Sequence, residues 1–164
     1  MPSDDELLSR ARALLDAYRQ ARLRVVTAES CTGGLISATL TEIAGSSDVV
    51  DRGFVTYSNE AKIELLGVPS ALIDKHGAVS PHVARAMAEG ALKMSRADVA
   101  VAVTGIAGPG GATPTKPVGL VYVAVERRGR EPLLERHVFS GDRRAVRLAS
   151  VETAFDLLDR QLGD

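Results

Sequence analysis

Ser30 lies in the segment Ala28-Glu29-Ser30-Cys31-Thr32-Gly33-Gly34, and Lys62 closes a second segment, Tyr57-Ser58-Asn59-Glu60-Ala61-Lys62. The first ends an apolar run and opens a helix with small residues. The second brings a tyrosine and a lysine to another strand-to-helix junction. A serine hydroxyl attacks a carbonyl only when a base takes its proton, and a lysine is a base only when neutral, which requires desolvation or a cationic neighbour. A Ser–Lys or Ser–Tyr–Lys set can therefore do the work of Ser–His with a different base. Taken alone, Lys62 reads as a solvated helix residue, and Ser30 as a helix cap followed by glycines that let helix and sheet approach. Taken together, the two segments supply a nucleophile, a base and backbone N–H donors, the equipment of a hydrolase that uses no metal.

Other residues compete for roles at the same place. Cys31 is the rival nucleophile, because a helix N-terminus can lower a thiol pKa. None of His76, His82 and His137 has a setting that marks it as a partner, and a lone small cysteine is usually packing. The N–H groups of Cys31, Thr32, Gly33 and Gly34 are expected to point at a bound anion. Thr104 and Gly105 end another strand and open the loop Gly105-Ile106-Ala107-Gly108-Pro109-Gly110-Gly111, a candidate oxyanion or phosphate cradle. That loop is not a P-loop, since Gly111 stands where lysine is required and no Ser or Thr follows for magnesium. Arg143 and Arg147 fall one turn apart on one helix face, where two guanidiniums could clamp a phosphate. Ser46 and Ser47 are further hydroxyl donors, with Ser47 the next candidate nucleophile after Ser30. No His/Asp/Glu cluster has metal-ligand spacing, so neither a metal nor another cofactor is expected.

The elements that must hold these residues are legible from periodicity and caps. Ser3 and Glu6 form a capping box ahead of Leu7, Leu8, Ala11, Leu14, Leu15 and Tyr18, which predicts a helix from Asp4 to Ala21. Leu23 to Ala28 reads as a strand, and Thr32 or Gly33 as the start of a helix to about Ile43. Val49 to Tyr57 reads as a strand and Glu60 to Leu66 as a short helix stopped by Gly67. Pro69 to His76 reads as a turn or two of helix. Ser80-Pro81 is a cap-plus-proline start of a helix to about Ser95. Val99 to Val103 and Val118 to Val125 are continuous apolar runs, as expected of strands buried on both faces. Arg127-Arg128-Gly129-Arg130 reads as a solvated hairpin turn before a strand from Leu133 to Phe139. Asp142 caps a last helix along Leu148, Val151, Phe155, Leu158 and Leu162. Alternating helices and strands predict one three-layer α/β/α domain over residues 1–164, its sheet mixed and largely parallel.

Bulk properties narrow the function. The chain has 164 residues, enough for one sizeable core and too few for two ordinary domains. Its net charge of −1 argues against direct nucleic-acid binding. The single cysteine excludes an internal disulfide framework. The start is acidic where a secretory signal is basic, and no apolar stretch approaches membrane-spanning length. A cytoplasmic protein with no membrane partner is expected.

In this order, Thr27 to Gly34, Gly53 to Lys62, Gly77 to Ser80, Thr104 to Gly111, Lys116 to Gly119 and Phe139 to Arg143 closely resemble the CinA C-terminal-domain family. The resemblance runs from about Leu7 to Leu162. It implies nicotinamide-nucleotide amidase activity, in which nicotinamide mononucleotide and water give nicotinic acid mononucleotide and ammonia, a step of pyridine-nucleotide salvage. It also implies a Ser/Lys-type site at Ser30, Tyr57 and Lys62. On this reading Ser30 attacks, Lys62 takes the proton, with Tyr57 as a relay, and donors near Thr32–Gly33 or Thr104–Gly105 hold the oxyanion. Arg143 or Arg147, with Ser46, Ser47 or the glycine loop, holds the 5′-phosphate. Larger members carry an extra N-terminal domain related to molybdopterin-binding proteins, whose activity is not expected here. The alternatives are a nucleotide-phosphate-binding module without turnover and an adaptor for competence or DNA-repair proteins. A homo-oligomer is expected.

Overall fold

The computed structural model describes residues 1–163. Helix α1, Asp4–Ala21, starts at the predicted capping box: Ser3 Oγ accepts the Glu6 N–H and Glu6 accepts the Ser3 N–H. It buries Leu7, Ala11, Leu14, Leu15 and Tyr18, the stripe of an amphipathic helix. Strand β1, Val25–Glu29, follows, then α2, Leu35–Thr41, and a 3₁₀ turn, Ser46–Asp48. Next come β2, Val50–Val55, α3, Asn59–Leu66, α4, Ser70–His76, and α5, Pro81–Lys93. The chain ends with β3, Val99–Gly105, β4, Leu120–Arg127, β5, Leu133–Val138, and α6, Arg143–Leu162.

The five strands form one sheet in the order β2-β1-β3-β4-β5. β2, β1 and β3 are parallel, and β4 is antiparallel to both β3 and β5. Four of the five strands therefore run one way, with β4 alone reversed. Between β1 and β2 the register slips: Val25 pairs with Val50 but Val26 with Arg52, so Asp51 is an extra residue.

Helices cover both faces of the sheet. Val99, Val101 and Val103 pack with α1, α2 and α6, while Ala100 and Ala102 pack with α3, α4 and α5. The alternation of Val and Ala along β3 is thus a two-faced pattern, bulky on one side and small where α5 lies close. α5 meets α3 just as closely: a Cβ on Gly90 would stand 1.9 Å from the Leu66 carbonyl oxygen. The Tyr18 hydroxyl donates to the Leu158 carbonyl at 2.8 Å and pins α1 to α6.

Two expectations about local structure are corrected. The helix after Ser30 begins at Leu35 rather than Thr32 or Gly33, because Gly33 and Gly34 take φ of 58° and 102°. The arginines of the β4–β5 turn are not merely solvated. Arg127 donates to the Gln161 carbonyl, and Arg128 to the Leu92 and Ala97 carbonyls, tying the hairpin to α6 and to the end of α5.

Candidate active site

The carboxyl ends of the three parallel strands deliver Tyr57, Ser30 and Thr104 to one end of the sheet, the first two just past β2 and β1 and Thr104 in the last residues of β3. The chain leaves β1 for β2 through α2 on one face and β2 for β3 through α3, α4 and α5 on the other. Such a reversal opens a crevice beyond the strand ends, the usual ligand site of an α/β sheet. A pocket of about 200 Å³ lies there, with Ser30, Cys31 and Lys62 among its walls. Tyr57, Asn59, Thr104, Gly105 and Arg143 also line it, as do the small residues Ala78, Val79 and Ala107.

Lys62 is almost fully buried, 1% exposed. Its Nζ lies 2.9 Å from Ser30 Oγ, 2.8 Å from the Thr56 carbonyl and 3.4 Å from the Tyr57 carbonyl. A neutral amine has two N–H groups and one lone pair. Two carbonyls and one hydroxyl match that inventory, with the lone pair left to accept the Ser30 O–H. Burial pushes the Lys62 pKa below the ordinary lysine range. The pair can thus remove a proton from Ser30 without a relay. The Tyr57 hydroxyl is not between them; it accepts from Arg143 Nη2 at 2.9 Å.

This burial has a consequence for stability. The Lys62 pKa is lower in the folded chain than in the unfolded one, near 10.4. Between those two values the unfolded chain binds more protons, so stability rises with pH. Against a Lys62→Met variant, the wild type is expected to gain melting temperature as pH rises from the lowered folded pKa towards about 10.4. Calorimetric scans at a series of pH values test this. Parallel curves for the two proteins would mean that Lys62 titrates alike folded and unfolded.

The turn that carries Ser30 is fastened on every side. The Ser30 N–H donates to the Val103 carbonyl at 3.0 Å, and the Gly33 N–H to the Ser30 carbonyl at 3.0 Å. Arg147 reaches from α6 to the Cys31 carbonyl through Nε and to the Thr32 carbonyl through Nη2. Glu29, fully buried, accepts from Thr32 Oγ1 at 2.7 Å and from the N–H groups of Ile36 and Ser37 at 2.8 and 3.0 Å. The first turn of α2 is therefore filled by a carboxylate of the chain itself, which takes the Ile36 and Ser37 N–H groups. The backbone bonds of the described residues leave the Cys31, Thr32 and Gly34 N–H groups without a carbonyl partner.

The remaining expectations divide. Arg143 reaches the pocket and also donates to the Gly108 carbonyl at 2.7 Å, joining the glycine loop to Tyr57. Arg147 does not form a clamp with it, being spent on the Ser30 turn. The Thr32 and Thr104 hydroxyls donate to Glu29 and to the Ala78 carbonyl, so both are structural bonds here. A Cβ on Gly105 would stand 2.6 Å from a Val121 methyl, so that glycine serves close packing of β3 on β4. Cys31 is buried and its thiol is pushed up to about 12 by that burial, which keeps it protonated. Ser46 and Ser47 precede β2 at the opposite edge of the sheet, roughly 20 Å away by strand length, where Arg19 holds Gly45 and Asp48. The chain does not bring them to Ser30.

Sequence reading missed Glu29, Asn59 and the wall of Ala78, Val79 and Ala107. Asn59 could have been found, since it lies three residues before Lys62 and shares its helix face. A charged residue closing the otherwise uncharged β1 was the only signal for Glu29. Among the described residues no group of three or more His, Cys, Asp or Glu side chains is placed to hold a metal ion. Among them, too, no helix is long and apolar enough to cross a membrane.

Known proteins of the same fold agree in sequence as well. The profile of the CinA C-terminal domain matches residues 8–162. The nicotinamide-nucleotide amidohydrolase PncC of Escherichia coli K12 is 46% identical over 159 residues, 97% of this chain and 96% of that protein. A CinA-like protein of Citrifermentans bemidjiense is 52% identical over 159 residues, 97% of this chain. The chain spans only 36–42% of the length of that protein and of other curated CinA-like and competence-damage inducible relatives. The crystal structure of competence/damage inducible protein CihA from Agrobacterium tumefaciens superposes with a TM-score of 0.94 at 50% identity, covering 100% of this chain and 98% of that one.

Proposed function

Since this chain belongs to the CinA C-terminal domain family, we propose that it is a nicotinamide-nucleotide amidase working in the cytoplasm on a small-molecule substrate. The observation that carries the reading is Lys62 Nζ, buried and without a carboxylate partner among the described residues, at 2.9 Å from Ser30 Oγ. A module that only binds nucleotides has no use for a lysine held in that state.

The chemistry follows from the site. Ser30 Oγ attacks the carboxamide carbon while Lys62 takes its proton. The oxyanion is held by N–H groups of the Ser30 turn, where those of Cys31, Thr32 and Gly34 have no backbone carbonyl partner among the described residues; such a donor lowers the barrier by about 3 kcal/mol. The C–N bond then breaks, and Lys62 returns the proton to the departing ammonia. A water molecule, deprotonated by the same lysine, cleaves the acyl ester and leaves the carboxylate product with Ser30 restored. The pocket is smaller than the ~300 Å³ at which ligand sites usually begin, so it takes the carboxamide ring and leaves the ribose phosphate at the mouth beside Arg143.

The test is ammonia release from nicotinamide mononucleotide by the purified protein in the presence of a chelator. Catalytic release supports the amidase; binding without release favours the nucleotide-binding module. Arg143→Met is expected to raise KM for the mononucleotide by ~10- to 100-fold, the worth of a charge-assisted hydrogen bond. It is expected to change KM for the riboside much less, since that substrate has no phosphate. Equal effects on both substrates would remove Arg143 from phosphate binding.

A further inference from the structure

We propose that Arg147 is a positioning residue for the nucleophile turn: from α6 it fixes the peptide planes behind Ser30 and sets a positive charge behind the N–H groups that meet the oxyanion. The identity of the attacked carbonyl rests on the amidase reading; the role of Arg147 rests on the contacts of the turn.

The guanidinium grips two consecutive carbonyls. Nε donates to that of Cys31 at 3.2 Å and Nη2 to that of Thr32 at 2.9 Å. It lies against Gly33, where a Cβ would stand 3.6 Å from Nη2. The peptides of this turn are trans, so the C=O and N–H of each unit point opposite ways. Holding the Cys31 carbonyl therefore sets the direction of the Thr32 N–H, which has no carbonyl partner among the described residues. Holding the Thr32 carbonyl sets the Gly33 N–H, which closes the turn on the Ser30 carbonyl at 3.0 Å. Hydrogen bonds in a chain polarise one another, so a cation on a carbonyl makes the N–H of the same unit a stronger donor.

The charge is not spent elsewhere. Arg10, Arg19 and Arg160 meet carboxylates, whereas Arg147 forms no ion pair among the described residues. Its charge reaches the pocket wall: it draws the Cys31 thiol pKa down, against burial and against the Glu29 carboxylate. Arg147 does not itself line the pocket. It therefore contributes little to holding a neutral carboxamide and acts when negative charge develops on the attacked oxygen, which is an effect on kcat and not on KM.

The probes are pyridine-3-boronic acid and nicotinamide. With the first, Ser30 Oγ bonds to boron, the serine proton passes to Lys62, and the four-coordinate boron carries the negative charge. Nicotinamide is the neutral, planar counterpart. Dissociation constants come from ligand-observed NMR titrations, and a melting scan of each variant checks its fold. The wild type is expected to bind the boronic acid about 10-fold or more tightly than nicotinamide, as an analogue of the tetrahedral state. Arg147→Met is expected to weaken the boronic acid by about 10- to 100-fold, less than the loss of a direct oxyanion donor, and nicotinamide by no more than ~2-fold. Arg147→Lys, which keeps the charge without the fork, is expected to fall between. Should Arg147→Met not fold, Arg147→Gln repeats the comparison with a neutral side chain. A wild-type ratio near one, equal weakening of both probes, as a merely displaced turn would give, or Arg147→Lys no better than the neutral variant would each overturn the proposal. Ammonia release from nicotinamide mononucleotide by the same preparations separates the two readings, with kcat expected to follow the boronic acid and KM to stay. Turnover by the wild type with unchanged boronic acid affinity in Arg147→Met leaves the amidase and removes this role. An Arg147-dependent affinity without turnover leaves the oxyanion site and removes the amidase.

Discussion

Lys62→Met is expected to lower kcat for ammonia release by about ten-thousand-fold, the usual cost of removing one member of a nucleophile–base set. Methionine has nearly the length of lysine and fills the buried channel beneath Ser30, so the fold survives. What is lost is the lone pair 2.9 Å from Ser30 Oγ. KM is expected to change little, since Lys62 acts on the nucleophile and not on the ribose phosphate. The wild-type pH profile carries the same information. Lys62 works only when deprotonated, so kcat/KM rises with pH through its folded pKa. Burial lowers that pKa, so the rise falls at lower pH than the titration of an ordinary lysine. The residual rate of Lys62→Met is expected to show no such limb. A variant that kept both the limb and most of kcat would place the base elsewhere.

Ser30→Ala is expected to fall as far, and not additively with Lys62→Met, because the two groups act in one step. The double variant should be no slower than the worse single one. Calorimetry should show the mononucleotide still binding to Ser30→Ala, since Arg143 and the rest of the pocket wall are untouched. Mass spectrometry of the wild type quenched during turnover should find the acyl group on the peptide that contains Ser30. Ser47→Ala is expected to leave kcat unchanged, since Ser47 stands beyond the other edge of the sheet. Full turnover by Ser30→Ala would remove the acyl-enzyme route and leave direct attack by water.

Local signals carried much of the fold. The capping box placed α1 at Asp4–Ala21, the Ser80-Pro81 pair opened α5, and the continuous apolar run of β3 announced a strand covered twice. Nonlocal contacts decided the rest. Nothing in Asn59-Glu60-Ala61-Lys62 distinguishes a buried lysine from a solvated one. The difference is made by the Ser30 turn, thirty-two residues earlier, which covers it. The start of α2 was misplaced because its cap is not the residue before it but a side chain from the preceding strand. Arg147 shared a helix face with Arg143, and periodicity alone made them a pair. The packing of α6 on the sheet sends one to the pocket and the other to the carbonyls of Cys31 and Thr32. Charged side chains that satisfy distant carbonyls, as Arg128 also does, look in sequence like surface decoration.

The extra residue at Asp51 sets a rule for how such a chain can change in length. Residues 110–115 lie exposed on the outer side of the glycine loop, where additions or deletions leave Ser30 and Lys62 in place. The stretch from Val50 to Thr56 has no such freedom. One residue more or fewer there would turn each following side chain to the other face of the sheet. It would also carry the Thr56 carbonyl away from Lys62 and part the Thr56 N–H from the Glu29 carbonyl it now meets at 2.8 Å. Indels that keep the dyad together therefore fall outside β2, and the count of residues along that strand measures the base against the nucleophile.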